Sequence, residues 1–222
     1  MTKELLQQQQ YKVSVATLRG RPYYEITHAL KQMGVRYDSI SPEEAADSSC
    51  KVVITTRDEA GMIAARGGGS KAVMLDTELV KYPAIAKAKI LRSIAGSQAD
   101  DQLTIGIDPG NRIGISVMYL HEEIASIVES SPASAIGQIS AVLGGVSSHR
   151  KVVKIGDGNI RMALSMAWAL KKKFHDDVEV EIVDEHGTSR PQNNEVNRRG
   201  IRDRMSARTI AFRPGRPYYM QR

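Results

Sequence analysis

Cysteine is almost missing from this chain of 222 residues: Cys50 stands alone. A single thiol can form neither an intramolecular disulfide nor a cysteine-based zinc site, which suits a reducing cytosol, so a cytoplasmic location is expected. Aromatic residues make up only 5% of the chain, too few for the broad base-stacking platforms of general single-strand binders. No run approaches roughly 18 consecutive apolar residues, so no membrane span is expected. The opening MTKELLQQQQ also lacks the apolar segment of a signal peptide. Lysine is missing from the last stretch. Residues 186–222 hold nine arginines, no lysine and two acids, Glu195 and Asp203. That segment carries +7 within a chain total of +6, so the remainder is close to neutral. Arginine in place of lysine favours bidentate phosphate contacts over simple solubility, and the basic balance points to a polyanionic partner.

What is present reads as two α/β series. After a polar leader (1–10), YKVSVATL forms a strand and RPYYEITHALKQMG a helix, with Pro22 in its first turn and Gly34 at its end. VRYDSIS, KVVITT and KAVMLD are further strands, PEEAADSS a short helix, ARGGGS a loop, and 77–95 one closing helix. Residues 11–96 are thus a small open α/β domain without a recognisable motif, ending at the polar GSQADD segment. The second series spans 102–213. LTIGID, RIGISVMYL and EEIASIVES are strands, the latter two a hairpin. PASAIGQISAVLGGV is a helix, KVVKIGD a strand, NIRMALSMAWALKKKF a strongly periodic helix, DVEVEIVDE a strand and IRDRMSARTIAFR a last helix. The order is β-β-β-α-β-α-β-α, followed by a basic tail at 214–222. Met162, Met166 and Trp168 of the periodic helix are assigned to the core.

The acids that can carry chemistry close strands or sit on the last helix. Asp108 ends the first strand of the second series, Asp157 ends KVVKIGD, Asp184 and Glu185 end DVEVEIVDE, and Asp203 lies on the final helix. Taken singly, each is also what a loop residue or a helix N-cap looks like. Taken as a set, parallel strand ends would gather them at one rim of the sheet, where ligands bind in open α/β folds. Mutually repelling carboxylates are the hard oxygen donors that Mg²⁺ or Mn²⁺ prefers, and two such ions can activate water and stabilise the leaving oxygen of a phosphodiester. The GGG at 67–69 lacks the lysine and spacing of a phosphate-binding loop.

Three segments carry a resemblance. IGIDPGNRIGISV (105–117) resembles the opening signature of the RuvC and YqgF branches of the ribonuclease H-like superfamily. VDEHGTSR (183–190) resembles the YqgF-type segment after the fifth strand, and RDRMSARTIAFR (202–213) resembles the last-helix pattern. The resemblance covers about half the chain. It implies a ribonuclease H-like fold after the small α/β domain, and a Mg²⁺- or Mn²⁺-dependent endonuclease holding two ions and acting on structured DNA or RNA. It implies Asp108, Glu185 and Asp203 as catalytic metal ligands, with Thr188 and Arg112 beside them. The chain departs from the pattern at His186 and Gly187. It offers Asp157 near the position where resolvases carry a glutamate, so the second carboxylate is either Asp157 or Glu185. Arg190, Arg198, Arg199 and Arg202 are the expected backbone-phosphate contacts. His186, next to the site, is a candidate to orient water or phosphate. A homodimer is one possible assembly. The competing readings are a catalytically inactive nucleic-acid- or protein-binding module of the same fold and, more remotely, an actin-like ATPase, which would need a second Asp-Gly turn that the first series lacks.

Overall fold

The computed structural model describes residues 12–66, 71–96, 101–185 and 199–220, and the polar leader lies outside them. The chain divides into two compact units, residues 1–99 and 100–222. In the first, β1 (Lys12–Ala16), α1 (Gly20–Gln32), β2 (Arg36–Ile40), α2 (Pro42–Asp47), β3 (Val52–Thr55), α3 (Arg57–Arg66), β4 (Ala72–Leu75), α4 (Asp76–Lys81) and α5 (Pro83–Ala95) follow one another. The four strands are parallel in the order β2-β1-β3-β4. Val13, Val15 and Ile54 pack against Ile26, Leu30, Leu79 and Ile90 in the core of this unit.

This unit differs from the sequence expectation in two places. The helix α3 is additional to the expected elements. RDEAGMIAAR buries only Ile63 and carries Gly61 at its middle, so no apolar stripe announces it. The closing helix over 77–95 is instead two helices. Tyr82 sits between them at φ −135° and ψ 65°. The ring of Pro83 disfavours helical geometry at the residue before it, which breaks the run there.

The second unit contains β5 (Gln102–Asp108), β6 (Ile113–Tyr119), β7 (Glu122–Glu129), α6 (Pro132–Gly145), β8 (Arg150–Gly156), α7 (Ile160–Phe174), a 3-10 turn (His175–Asp177), β9 (Glu179–Val183), α8 (Arg199–Phe212) and β10 (Arg216–Pro217). Its six-stranded sheet has the order β10-β9-β8-β5-β6-β7. β5, β8 and β9 are parallel, while β6 runs antiparallel to both β5 and β7. The β6–β7 hairpin turns on Leu120 and His121, both with positive φ (49° and 66°), the handedness that tight hairpins require. The residues after 213 are not only a tail. Arg216 and Pro217 pair antiparallel with Ile182 and Glu181, and the Tyr218 N–H donates to the Val180 carbonyl at 2.8 Å.

α6 and α7 pack against each other on one face of this sheet. Ser131 caps α6 through the Ser134 N–H, and Asn159 caps α7 through the Met162 N–H. On α7, Met166 is buried and Met162 partly so, but Trp168 is 50% exposed, with Lys172 Nζ 4.8 Å from its ring centroid. The core assignment of Trp168 is therefore wrong. Ala163, Met166, Ala167 and Leu170 already fill the buried stripe, and position 168 falls outside it.

α8 covers the other face. Along β5, Leu103, Ile105 and Ile107 alternate with Gln102, Thr104, Gly106 and Asp108, and the second set shares the α8 side. Ala207, Ile210 and Ala211 are the buried residues of α8. A Cβ on Gly106 would stand 2.7 Å from the Ala211 nitrogen, and one on Gly114 would stand 2.6 Å from the Asp203 carbonyl carbon. These two glycines let the helix backbone lie directly on the strands, and so fix where Asp203 is presented.

Candidate carboxylate site at the end of β5

Asp108 is the last residue of β5 and pairs in register with Gly114 on β6. The Asp203 backbone lies over Gly114, so α8 brings the Asp203 side chain to the Asp108 end of the sheet. One turn further along α8, the Ser206 side chain hydrogen-bonds the Asp108 carboxylate. Glu185 reaches the same place from the end of β9. The Asp108 carboxyl is pushed up to about 6 by partial burial, then by the neighbouring charges of Glu185 and Asp203, with the Ser206 hydroxyl opposing. Three carboxylates from three separate elements therefore share one electrostatic environment.

Glu185 is held in a seat of its own. A side chain on Gly156 would collide with the Glu185 carboxylate, and one on Gly158 would come within 2.5 Å of its Oε2. The two glycines of IGDGN thus provide the space that this carboxylate fills. Burial raises the Glu185 carboxyl above its ordinary range; the Gly158 N–H opposes this, Asp157 adds to it, and Arg213 opposes it. Asp157 has a different position. Its Oδ1 accepts the Glu185 backbone N–H at 3.0 Å, and its own N–H donates to the Val183 carbonyl at 3.0 Å. Asp157 is not among the charges that raise Asp108. Asp184 faces solvent, and its carbonyl accepts from Arg213 Nη1 at 2.9 Å.

Arg112, in the β5–β6 turn, lies with Nε 3.8 Å from Asp203 Oδ2. A Cβ on Gly200 would stand 3.2 Å from its Nη2, so the guanidinium borders the first turn of α8. Arg202 is exposed on that helix. Arg199 is its first residue. Thr188, Arg190, Arg198 and His186 lie outside the described residues. Sequence reasoning passes over Ser206 and Arg213, which look like ordinary helix-surface residues until the partner strands are in place. Ser206 has one readable signal, its spacing of three from Asp203 on the same face of the helix.

The donor set is made of hard oxygens, which suits Mg²⁺ or Mn²⁺. Among the described residues no three His, Cys, Asp or Glu side chains stand close enough together to form a ready metal cluster. The carboxylates share a field without being drawn onto one point. No helix among the described residues is long and apolar enough to cross a membrane. No protein-family model matches the chain, and no curated protein matches it significantly.

Proposed function

We propose that residues 102–213 form a ribonuclease H-like, metal-dependent nuclease that hydrolyses phosphodiester bonds in structured DNA or RNA, with Asp108, Glu185 and Asp203 as the metal-binding carboxylates. The observation that carries this reading is the Asp108 carboxyl, raised to about 6 by burial together with Glu185 and Asp203. Carboxyls raised by burial together with specific charged neighbours make such a rim a candidate functional site. The fold supports it. Counting strands from β5, the sheet order is 6-5-4-1-2-3 with strands 2 and 6 reversed, and the last helix lies across the first strand. The element order up to the last helix, β-β-β-α-β-α-β-α, agrees with the order read from the sequence and supports this reading.

A divalent ion bound here would supply a lowered pKa for the attacking water and charge for the leaving oxygen. The chain's own residues do the rest. Gly106 and Gly114 hold α8 against β5 and β6 so that Asp203 faces Asp108. Asp157 fixes the Glu185 backbone, and Gly156 and Gly158 leave room for its carboxylate. Arg112, beside Asp203, stands where it can pair with a phosphate oxygen. Arg202 adds exposed positive charge to the first turn of α8.

The inactive binding module is the second reading, and Arg112 is the observation that favours it: a protein cation already neutralises part of the Asp203 charge. One experiment separates the two. Purified protein is incubated with four-way junction, hairpin and single-stranded DNA and RNA, with Mn²⁺, Mg²⁺ or EDTA. The nuclease reading expects metal-dependent cleavage that Asp108→Asn abolishes. If no substrate is cut and Asp108→Asn binds nucleic acid as well as the native protein does, the binding module replaces it.

A further inference from the structure

We infer that the exposed side of α8 is a track for a single-stranded segment of nucleic acid, leading from the carboxylates to a pocket that accepts one unpaired base. The inference rests on the nuclease reading for the identity of its polyanion and adds a position and a polarity to it.

The geometry begins with the direction of α8. Asp203 lies over Gly114, opposite Asp108, while Ala207 and Ala211 lie over Gly106. The helix therefore runs back along β5, away from the carboxylates. Its buried side is used up by Ala207, Ile210 and Ala211. On its outer side Arg204, Arg208 and Phe212 stand at successive turns, all exposed, spanning about 12 Å. No described acid pairs with Arg202, Arg204 or Arg208, and α8 carries no acid in its first turn. Arg204 and Arg208 at i and i+4 repel each other, and arginine near a helix N-terminus opposes the helix dipole. Such a helix carries an electrostatic cost that a bound polyanion removes.

Where the arginines stop, a pocket of about 220 Å³ opens on the same sheet face. Phe212, 61% exposed, and His121 of the hairpin turn are among its lining residues, with Met118, and Gln102, Thr104 and Lys154 bring polar atoms to it. Thr104 and Asp108 share one face of β5, about 13 Å apart. The volume suits a single planar base. An aromatic ring, an imidazole and a thioether offer it stacking and apolar contact. Gln102 Nε2 already donates to Thr104 Oγ1 at 2.9 Å and Lys154 Nζ to the Arg213 carbonyl at 2.6 Å, so the polar edge of a base would meet the hydrogens these two groups have left. A duplex cannot present such a base without unpairing it, so the occupant is a single-stranded segment.

The test uses the full chain in EDTA, so that no cleavage is needed. A single-stranded oligonucleotide carrying the fluorescent base 2-aminopurine is titrated with the protein, and the same bases in duplex form are the comparison. Native protein is expected to quench the single-stranded probe on binding and the duplex little. Phe212→Ala should remove most of the quenching and change the affinity only a few-fold. Arg204→Ala with Arg208→Ala should weaken binding about tenfold at 0.1 M salt and lower the salt slope by about 1.4. Each variant is checked for native thermal stability, and Phe212→Tyr, which keeps a ring, should retain the quench. The inference is overturned if Phe212→Ala quenches like the native protein, if the double arginine variant keeps its affinity and salt slope, or if a duplex or an acidic polypeptide competes fully at equal charge. If these variants behave as expected but no nucleic acid is cleaved with Mn²⁺, the track stands and the nuclease reading falls. If cleavage depends on Asp108 but ignores all of these variants, the nuclease reading stands and the track falls.

Discussion

Asp157 holds Glu185 by its backbone: the Asp157 Oδ1 accepts the Glu185 N–H at 3.0 Å, across the ends of two parallel strands. This separates two acids that look interchangeable in sequence. Asp157 is committed to a backbone donor, whereas the Glu185 carboxylate lies over Gly156 and Gly158 and acts on Asp108.

The two roles predict different variants. Asp157→Asn keeps an oxygen acceptor and should leave stability and cleavage within a few-fold of native. Asp157→Ala should cost about 1 kcal/mol through the lost bond. Glu185→Gln should lower metal-dependent cleavage at least about a hundredfold while keeping or slightly raising the thermal stability of the metal-free protein at neutral pH, since it removes a charge that burial disfavours. Melting curves and initial cleavage rates decide this. An inactive Asp157→Asn beside an active Glu185→Gln would reverse the assignment.

The Asp108 carboxyl makes a pH prediction for the metal-free protein. Its folded-state pKa, about 6, lies above the ordinary 3.8. Between those values the folded state holds more proton than the unfolded state, so stability falls as pH rises from about 4 to 6 and stays low above that. Asp108→Asn removes the ionised form. It should stabilise the apoprotein at pH 7.5 by about 1 kcal/mol after discounting for solvent screening, and by almost nothing at pH 4. For a unit of this size that is a rise of roughly 3–6 °C in Tm. Equal shifts at both pH values would show that the effect is not electrostatic.

The glycines beneath α8 predict a packing effect. Gly106→Ala places a methyl group against the Ala211 nitrogen and the Ala207 carbonyl. Backbone cannot yield as a flexible side chain does, so the change should destabilise the second unit by about 3 kcal/mol. Gly137→Ala on α6, where a Cβ meets nothing within 4 Å, should be neutral or slightly stabilising. Urea denaturation of the two variants side by side checks the contrast.

Features that repeat locally are legible in the sequence. Strands show by apolar runs, α7 by its periodicity, and Asp108 and Asp203 by their places at a strand end and on the last helix. What stays hidden depends on partners distant in the chain. The helix α3 has one buried residue, Ile63, and too weak a stripe to see. Trp168 looks like core because large apolar residues on a periodic helix usually are, yet four smaller or slimmer residues fill that side. Glu185 and Asp157 look alike because both end strands. Only the space over Gly156, and the strand pairing that brings Val183 beside it, distinguish them.

Metal binding gives the prediction that joins structure to function. Burial and the charges of Glu185 and Asp203 disfavour an ionised Asp108 in the metal-free protein, so an ion bound there would add both ligation and relief of that repulsion. Millimolar Mn²⁺ should therefore raise the Tm of the native protein by several degrees at pH 7.5, as any ligand of the folded state alone does. Asp108→Asn and Glu185→Gln should each lose most of that rise, while Arg112→Ala, which frees Asp203 from a competing cation, should keep or enlarge it. The Mn²⁺-induced rise should shrink below pH 6, where Asp108 is protonated. Differential scanning fluorimetry across Mn²⁺ concentration and pH measures all of these, and a native Tm that ignores Mn²⁺ at every pH would remove the metal from the proposed site.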